Sequence, residues 1–239
     1  MKRQQYITPG GTASGLALNI LSQPHVLIAG ATGSGKSTLL NTVIYTALLF
    51  APPEKQFILI DPKRVELIDY KLLPHTITRA TEPHQIAAAL TGAVSIIEDR
   101  YKRLEKRRAK LYDGSDVYII IDELADLLTV DKKTFLPLLQ RIAQIGRAAR
   151  VHLIAATQRP TKDILSGQLK VNLDARLALR TASRQDSRNI IETPGAELLP
   201  RYGHGLYLIP EFRQPERVTI PATPPDCIAA RVNYWIRQK

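Results

Sequence analysis

Eight consecutive residues, Gly30-Ala31-Thr32-Gly33-Ser34-Gly35-Lys36-Ser37, fill the pattern G-x-x-x-x-G-K-[ST] with no position out of place. Each residue type there has a chemical task. Glycines let successive backbone N–H groups converge on phosphate oxygens, Lys36 reaches the β and γ phosphates, and the Ser37 hydroxyl can ligate Mg²⁺. With Thr38, which opens the following helix, these residues make up the expected nucleotide-binding set. A second constellation lies further along, where the apolar run Val117-Tyr118-Ile119-Ile120-Ile121 ends in Asp122-Glu123. Asp122 can hold the Mg²⁺ shell, usually through water, and Glu123 can orient and polarise an attacking water. A third candidate is Gln158, at the end of Val151-His152-Leu153-Ile154-Ala155-Ala156-Thr157. A glutamine there can touch the γ-phosphate or the water and so report which nucleotide is bound; an ordinary turn glutamine is the alternative.

These groups meet only if the chain folds around them. His25-Val26-Leu27-Ile28-Ala29 reads as a buried strand, and the apolar pattern from Thr38 to Phe50 reads as a helix, which places the glycine-rich loop at a strand-to-helix turn. A second buried strand, Phe57-Ile58-Leu59-Ile60-Asp61-Pro62, completes a βαβ unit. Thr76-Ile77-Thr78 is a weaker strand, a long helix runs from about Pro83 to Tyr112, and another from about Thr134 to Ala149. Strands at residues 176–180 and 205–209 close the sheet, and a terminal helix occupies residues 225–239. The first 22 residues form a lead-in, with turn chemistry at Ile7-Thr8-Pro9-Gly10-Gly11-Thr12 and a short apolar segment at residues 16–21. The expectation is one α/β domain over residues 1–239, with a mostly parallel central sheet flanked by helices.

The totals narrow the partners. Lys and Arg outnumber Asp and Glu by 33 to 22, a formal charge of +11, which calls for a polyanion or an anionic surface. No stretch approaches the roughly 20 apolar residues of a spanning helix, and Met1-Lys2-Arg3-Gln4-Gln5 does not lead into a signal-type apolar core, so a soluble, cytoplasmic protein is expected. A single cysteine, Cys227, rules out an internal disulfide and a thiolate-cluster metal site. His25, His75, His84, His152 and His204 show no paired ligand spacing, leaving nucleotide-bound Mg²⁺ as the one metal expected. Seven basic residues crowd the helix segment Arg100-Tyr101-Lys102-Arg103-Leu104-Glu105-Lys106-Arg107-Arg108-Ala109-Lys110. They read either as a solvated helix end, where cations are favoured, or as a contact with nucleic acid or a neighbouring subunit.

Taken together, these stretches resemble the motor domain of FtsK/SpoIIIE DNA translocases within the FtsK–HerA group. The matching residues are Pro24 to Gly30 leading into the phosphate loop, Ile60-Asp61-Pro62-Lys63-Arg64-Val65-Glu66-Leu67, Ile121-Asp122-Glu123-Leu124-Ala125-Asp126-Leu127, Ile145-Gly146-Arg147-Ala148-Ala149-Arg150 and Ala155-Ala156-Thr157-Gln158-Arg159-Pro160. Ser183-Arg184-Gln185-Asp186-Ser187-Arg188 and residues 203–208 extend the likeness to most of the chain. The resemblance implies a RecA-like P-loop NTPase fold, ATP with Mg²⁺ as cofactors, a homo-oligomeric ring, usually a hexamer, and movement of double-stranded DNA without regard to sequence.

In such a ring an arginine from one subunit completes the neighbour's site. Arg147 looks like that residue, with Arg150, Arg176 and Arg180 as rivals. The stretch after Thr157-Gln158-Arg159-Pro160 corresponds to a pore loop that touches DNA, and Lys162 and Lys170 are its candidate phosphate contacts. Family translocases commonly add a membrane region, a further domain and a winged-helix module. Only the motor is expected here, which points to a plasmid, phage or integrative element, or to an anchor borrowed from a membrane or mobile-element partner. A coupling or secretion-type ATPase acting on a protein partner is the alternative reading. A non-motor nucleotide switch is weaker, because Glu123 and Gln158 together equip the site for hydrolysis.

Overall fold

The computed structural model describes residues 13–50, 54–165 and 167–238. The turn expected at residues 7–12 lies outside them. The chain begins with α1 (Ala13–Ser22), β1 (His25–Ala29), α2 (Lys36–Leu49), β2 (Lys55–Ile60) and β3 (Thr76–Ala80). It continues through α3 (Pro83–Arg107), β4 (Asp116–Ile121), α4 (Leu124–Ile145) and β5 (Val151–Thr157). The remainder is α5 (Gly167–Asn172), β6 (Ala175–Leu179), α6 (Arg184–Ile191), β7 (His204–Leu208), β8 (Glu216–Thr219) and α7 (Pro225–Arg237).

The strands form one eight-stranded sheet in the order β3-β2-β4-β5-β1-β6-β7-β8. Pairings from β3 through β6 are parallel, and the β7–β8 hairpin adds antiparallel strands at one side. The alternation of side chains along each strand divides the core between the two faces of the sheet. Leu27, Ile119 and Leu153 pack on one face under α3, α4, α5 and α6. Val26, Ile28, Ile120 and Ile154 pack on the other under α1, α2 and α7. Because both faces are covered, the central strands are continuous apolar runs.

Parallel strands share a C-terminal edge, and that edge is where the candidate chemistry collects. β1 ends at Ala29 before Gly30, β4 at Ile121 before Asp122-Glu123, and β5 at Thr157 before Gln158. The opposite edge receives the C-terminal ends of α3 and α4.

Several elements differ from the sequence-based expectation. The apolar segment at residues 16–21 is part of helix α1, not merely a run into β1. Helix α3 stops at Arg107, where Arg108 takes a left-handed conformation at φ 52°. Helix α4 starts ten residues before the expected Thr134, capped by the Glu123 side chain, and is interrupted at Asp131 (φ −153°). Asp131 Oδ1 accepts from Thr134 N at 3.0 Å and so begins the second segment, whose start the sequence does show. Helices α5 and α6 and strand β8 were not anticipated.

Candidate active site

The phosphate loop is shaped by what surrounds Gly30 and Gly35. A Cβ on Gly30 would lie 2.7 Å from both Leu179 Cβ and Ser34 Oγ, so only glycine fits where the loop leaves β1. Gly35 has φ 98° at the N-cap of α2, a left-handed conformation that favours glycine, and no atom lies within 4 Å of where a Cβ would stand. Backbone bonds fix the entry: Gly30 N donates to Thr157 O at 3.2 Å and Ala31 N to Arg180 O at 2.8 Å. The loop is thereby tied to the strands on either side of β1. Ser34 Oγ is buried and has no hydrogen-bond partner among the described residues, an uncompensated polar atom inside the cradle.

Lys36 opens α2 and is buried, and its Nζ bonds Asp122 Oδ1 at 2.9 Å as well as the Asp122 carbonyl. The same nitrogen lies 3.9 Å from Glu123 Oε2. Ser37 is half-buried and Thr38 exposed on the first turn. Of the residues expected from the sequence to hold phosphate and metal, Lys36 at the start of α2 meets Asp122 and Glu123 at the end of β4, and Ser37 follows it on the first turn of α2. Among the described residues no separate cluster of His, Cys, Asp and Glu is arranged to hold a metal ion.

Glu123 is 1% exposed and its carboxylate is densely hydrogen-bonded. Thr157 Oγ1 donates to Oε1 at 2.7 Å, Gln158 N lies 3.1 Å from both oxygens, and Ala125 N donates to Oε1 at 3.4 Å. The Gln158 side chain points back to the phosphate loop, its Oε1 accepting from Thr32 Oγ1 at 2.8 Å. Gln158 therefore bridges the loop and the glutamate, one through its side chain and the other through its backbone.

Two contributors escaped the sequence reading, Thr157 and Lys63. Lys63 Nζ lies 3.7 Å from Glu123 Oε2 and 3.2 Å from Asp126 Oδ2. Desolvation works against its charge, but the Asp126 hydrogen bond and the Glu123 and Asp122 charges outweigh it and hold Lys63 above the ordinary lysine range. Asp61 shapes the segment that carries Lys63, accepting from Val65 N, Leu67 N and Arg79 Nη2. The signal for Lys63 was its place just after a strand end, in the stretch Asp61-Pro62-Lys63.

Arg147 lies at the other edge of the sheet, in the turn between α4 and β5. With seven residues in β5 at about 3.3 Å each, it is about 20 Å from the phosphate loop of its own chain. Its side chain is exposed and takes no hydrogen bond or ion pair among the described residues. Its rivals are placed differently. Arg150 clasps Asp116 with Nε–Oδ1 at 2.6 Å and Nη2–Oδ2 at 2.8 Å. Arg176 is buried and donates to Leu173 O, Glu192 Oε1 and Lys170 O. Arg180 sits exposed at the phosphate-loop edge, its carbonyl bonded to Ala31 N.

The turn bearing Arg147 is held from several directions. Arg100, 6% exposed, donates from Nη1 to the carbonyls of Ala149 and Arg150, and Tyr101 Oη donates to Ile145 O. His25 packs under Gly146, with Nδ1 accepting from Leu153 N at 3.1 Å. Burial, then the charges of His152 and Arg147, lower its pKa to about 3. Alongside lies a cavity of about 1020 Å³ whose lining includes Arg147, Arg150, Lys55, Asp116 and His152. Although burial opposes its charge, hydrogen bonds from His152, Arg150 and Lys55 hold the Asp116 carboxyl well below the usual carboxylate range.

Lys162 is exposed in the segment after β5, whereas Lys170 is half-buried with Nζ 3.6 Å from Glu192 Oε1. No helix of the described residues is long and apolar enough to cross a membrane.

Comparison with known proteins agrees with this architecture. The FtsK/SpoIIIE family profile matches residues 9–116 and 106–162. The DNA translocase FtsK of Streptomyces avermitilis is 38% identical over 90% of this chain and 27% of its own length. The Mycobacterium tuberculosis DNA translocase FtsK is 40% identical over 81% of this chain and 26% of its own. The chain thus spans about a quarter of the length of these curated relatives. Among solved structures, the pCW3 conjugation coupling protein TcpA, a monomer form with ATPγS, superposes with a TM-score of 0.78 at 24% identity, covering 92% of this chain and 66% of that one. The cytoplasmic domain of the Thermomonospora curvata type VII secretion ATPase EccC gives a TM-score of 0.75 at 26% identity, covering 97% of this chain and 29% of that one.

Proposed function

The chain belongs to the FtsK/SpoIIIE family, and we propose that it is an ATPase motor that binds ATP with Mg²⁺ and couples hydrolysis to movement along double-stranded DNA. The observation that carries this reading is the convergence of Lys36, Asp122, Glu123 and Gln158 on one edge of the sheet beside the phosphate loop. The residues fit the cofactor: an unpartnered buried Ser34 hydroxyl, a left-handed Gly35 at the start of α2 and a buried lysine next to two carboxylates.

The roles follow from position. Backbone N–H groups from Gly33 to Thr38 bind the phosphate chain, aided by the N-terminus of α2. Lys36, now paired with Asp122, would bind the β and γ phosphates, and Asp122 with Ser37 would hold the hydrated cation. Mg²⁺, when bound, neutralises charge on the β and γ oxygens. Glu123 polarises the attacking water, for which Oε2, with Gln158 N at 3.1 Å, retains acceptor capacity. Gln158 holds the loop and the water together. Arg147 lies about 20 Å from its own loop by strand length, which supports its supply to the neighbouring subunit's site in a ring.

The test is hydrolysis rate against DNA length, comparing linear with circular duplexes. A moving ring gives a rate that rises with linear length and saturates, with circles near the plateau; a rate indifferent to added DNA at low salt removes the translocase reading. A coupling or secretion-type ATPase is the second reading, favoured by the likeness to the conjugation coupling protein and the secretion ATPase. It predicts hydrolysis stimulated by a partner protein and not by DNA.

A further inference from the structure

Two residues outside the catalytic constellation stand beside the tip of the phosphate loop. A Cβ built on Gly33 would lie 3.5 Å from Arg201 Nη2, 3.8 Å from Arg201 Nε and 4.0 Å from Tyr202 Oη. Tyr202 is 61% exposed, and the Arg201 guanidinium sits 5.4 Å from its ring centroid. Tyr202 thus presents an aromatic ring to solvent beside the phosphate loop, with the Arg201 cation near that ring.

The sheet order says which part of a bound nucleotide would lie beside that ring. Within one chain's own site, Asp122, Glu123 and Gln158 follow β4 or β5, on one side of β1. Arg201 and Tyr202 immediately precede β7, on the other side of β1 beyond β6. β7 pairs antiparallel with β6, Gly205 opposite Leu179, so its start lies at the same edge as the phosphate loop. The bond to be cleaved must sit beside Glu123. A phosphate chain bound that way would cross the loop away from β5, and its ribose and base would lie toward the β6–β7 edge.

We infer that Tyr202 forms the base-stacking end of the nucleotide site, with Arg201 holding the ring in place between the loop and the base of a nucleoside triphosphate. The inference rests on the proposed binding of a nucleoside triphosphate by the phosphate loop, and adds to it a contact that the sequence motif does not contain. Loss of an aromatic side chain stacked on a base lowers affinity by about five- to 150-fold, largely whatever the base.

The experiment measures binding of ATP and of inorganic tripolyphosphate, each with Mg²⁺, to the full chain by calorimetry, for the wild type, Tyr202→Ala and Tyr202→Phe. Expected is a loss of about tenfold in ATP affinity for Tyr202→Ala, the lower part of that stacking range, with tripolyphosphate affinity unchanged and with Tyr202→Phe close to wild type. Equal losses for ATP and tripolyphosphate, or no loss for either, overturn the inference. A wild-type protein that binds neither compound overturns instead the underlying assignment of the phosphate loop. Because Tyr202 is exposed, thermal unfolding of the variants is expected to match the wild type; if Tyr202→Ala unfolds early, Tyr202→Leu, apolar but without a ring, takes its place, and ATP affinity retained in Tyr202→Leu overturns the inference.

Discussion

The Thr157 hydroxyl donates to Glu123 Oε1 at 2.7 Å, so the strand tip that leads into the candidate DNA-contacting segment also holds the candidate general base. Thr157 is fully buried, and its Oγ1 accepts from Arg159 N at 3.1 Å as well. Replacing it with valine leaves a buried carboxylate one donor short, at about 1–3 kcal/mol. Thr157→Val is therefore expected to lower the urea midpoint without changing the slope. In a Glu123→Gln background the loss shrinks, because a neutral amide needs that donor less. Equal losses in both backgrounds would show that the hydroxyl acts through Arg159 instead.

Lys36 carries a structural load apart from any nucleotide. It and Asp122 are both buried and paired at 2.9 Å. Removing one partner of such a pair leaves an uncompensated charge, at about 3–5 kcal/mol. Lys36→Met is expected to be less stable than the wild type even without ATP, and Lys36→Met with Asp122→Asn to recover most of the loss. Chemical denaturation of the four chains checks this, and a double variant no more stable than the single one contradicts it.

How much of this was legible in the sequence depended on distance along the chain. The loop from Gly30 to Ser37 and the pair Asp122-Glu123 are contiguous and sit at ends of apolar runs, so both motif and location could be read. Gln158 was placed by the same logic. The partners that Glu123 uses come from β5 and from Lys63 after β2, and only strand order reveals that these ends adjoin. The basic run on α3 misled in one respect: Arg100 looks like one more surface cation but is buried, clamping the carbonyls of Ala149 and Arg150. A buried arginine serving carbonyls leaves no compositional trace. The early start of α4 was hidden because its first turn follows directly from the motif that ends β4, and Asp131 breaks the periodicity.

Arg147 gives a prediction that only an intersubunit site satisfies. Arg147→Ala and Glu123→Gln chains are each expected to lose hydrolysis by at least a hundredfold, by analogy with the worth of such groups. Mixed in equal amounts, they regain activity, because a Glu123→Gln chain can present its arginine to the intact site of an Arg147→Ala chain. Activity of the mixture that stays at the level of the separate variants would assign Arg147 to structure, consistent with its place in a turn held by Arg100 and Tyr101.

Stability is expected to fall with acid earlier than carboxylates alone would allow. His25 has its pKa lowered from 6.5 to about 3, because burial opposes its charge, with His152 and Arg147 adding repulsion. The unfolded chain therefore binds a proton that the folded chain refuses between these values. The contribution is fully present above pH 6.5 and is lost as pH falls toward about 3, at up to about 1.4 kcal/mol per unit. His75, also lowered by burial, adds in the same direction. Asp116 is held below the usual carboxylate range and so adds its own loss only at lower pH. His25→Gln is expected to flatten the dependence of unfolding free energy on pH between 4 and 6; an unchanged slope there would place the titration elsewhere.

The candidate DNA contacts Lys162 and Lys170 are not equivalent. Lys162 is exposed on the segment after β5, and its neighbour Asp163 offers its carbonyl to Lys132 Nζ at 2.9 Å, which fixes that segment against α4. Lys170 lies 3.6 Å from Glu192, whose carboxylate also takes Arg176 Nη1 at 2.7 Å. The Arg176 hydrogen bond, then the Arg176 and Lys170 charges, hold Glu192 below the usual glutamate range, so it stays ionised and competes with phosphate for Lys170. Lys162→Ala is accordingly expected to weaken duplex DNA binding across sequences and to reduce the slope of log affinity against log salt by about one. Lys170→Ala is expected to change that slope less. Glu192→Gln should then strengthen binding in the presence of Lys170 and have no effect in its absence. The salt titrations of these variants on a fixed duplex check both statements, and equal slopes for Lys162→Ala and the wild type would remove Lys162 from the contact surface.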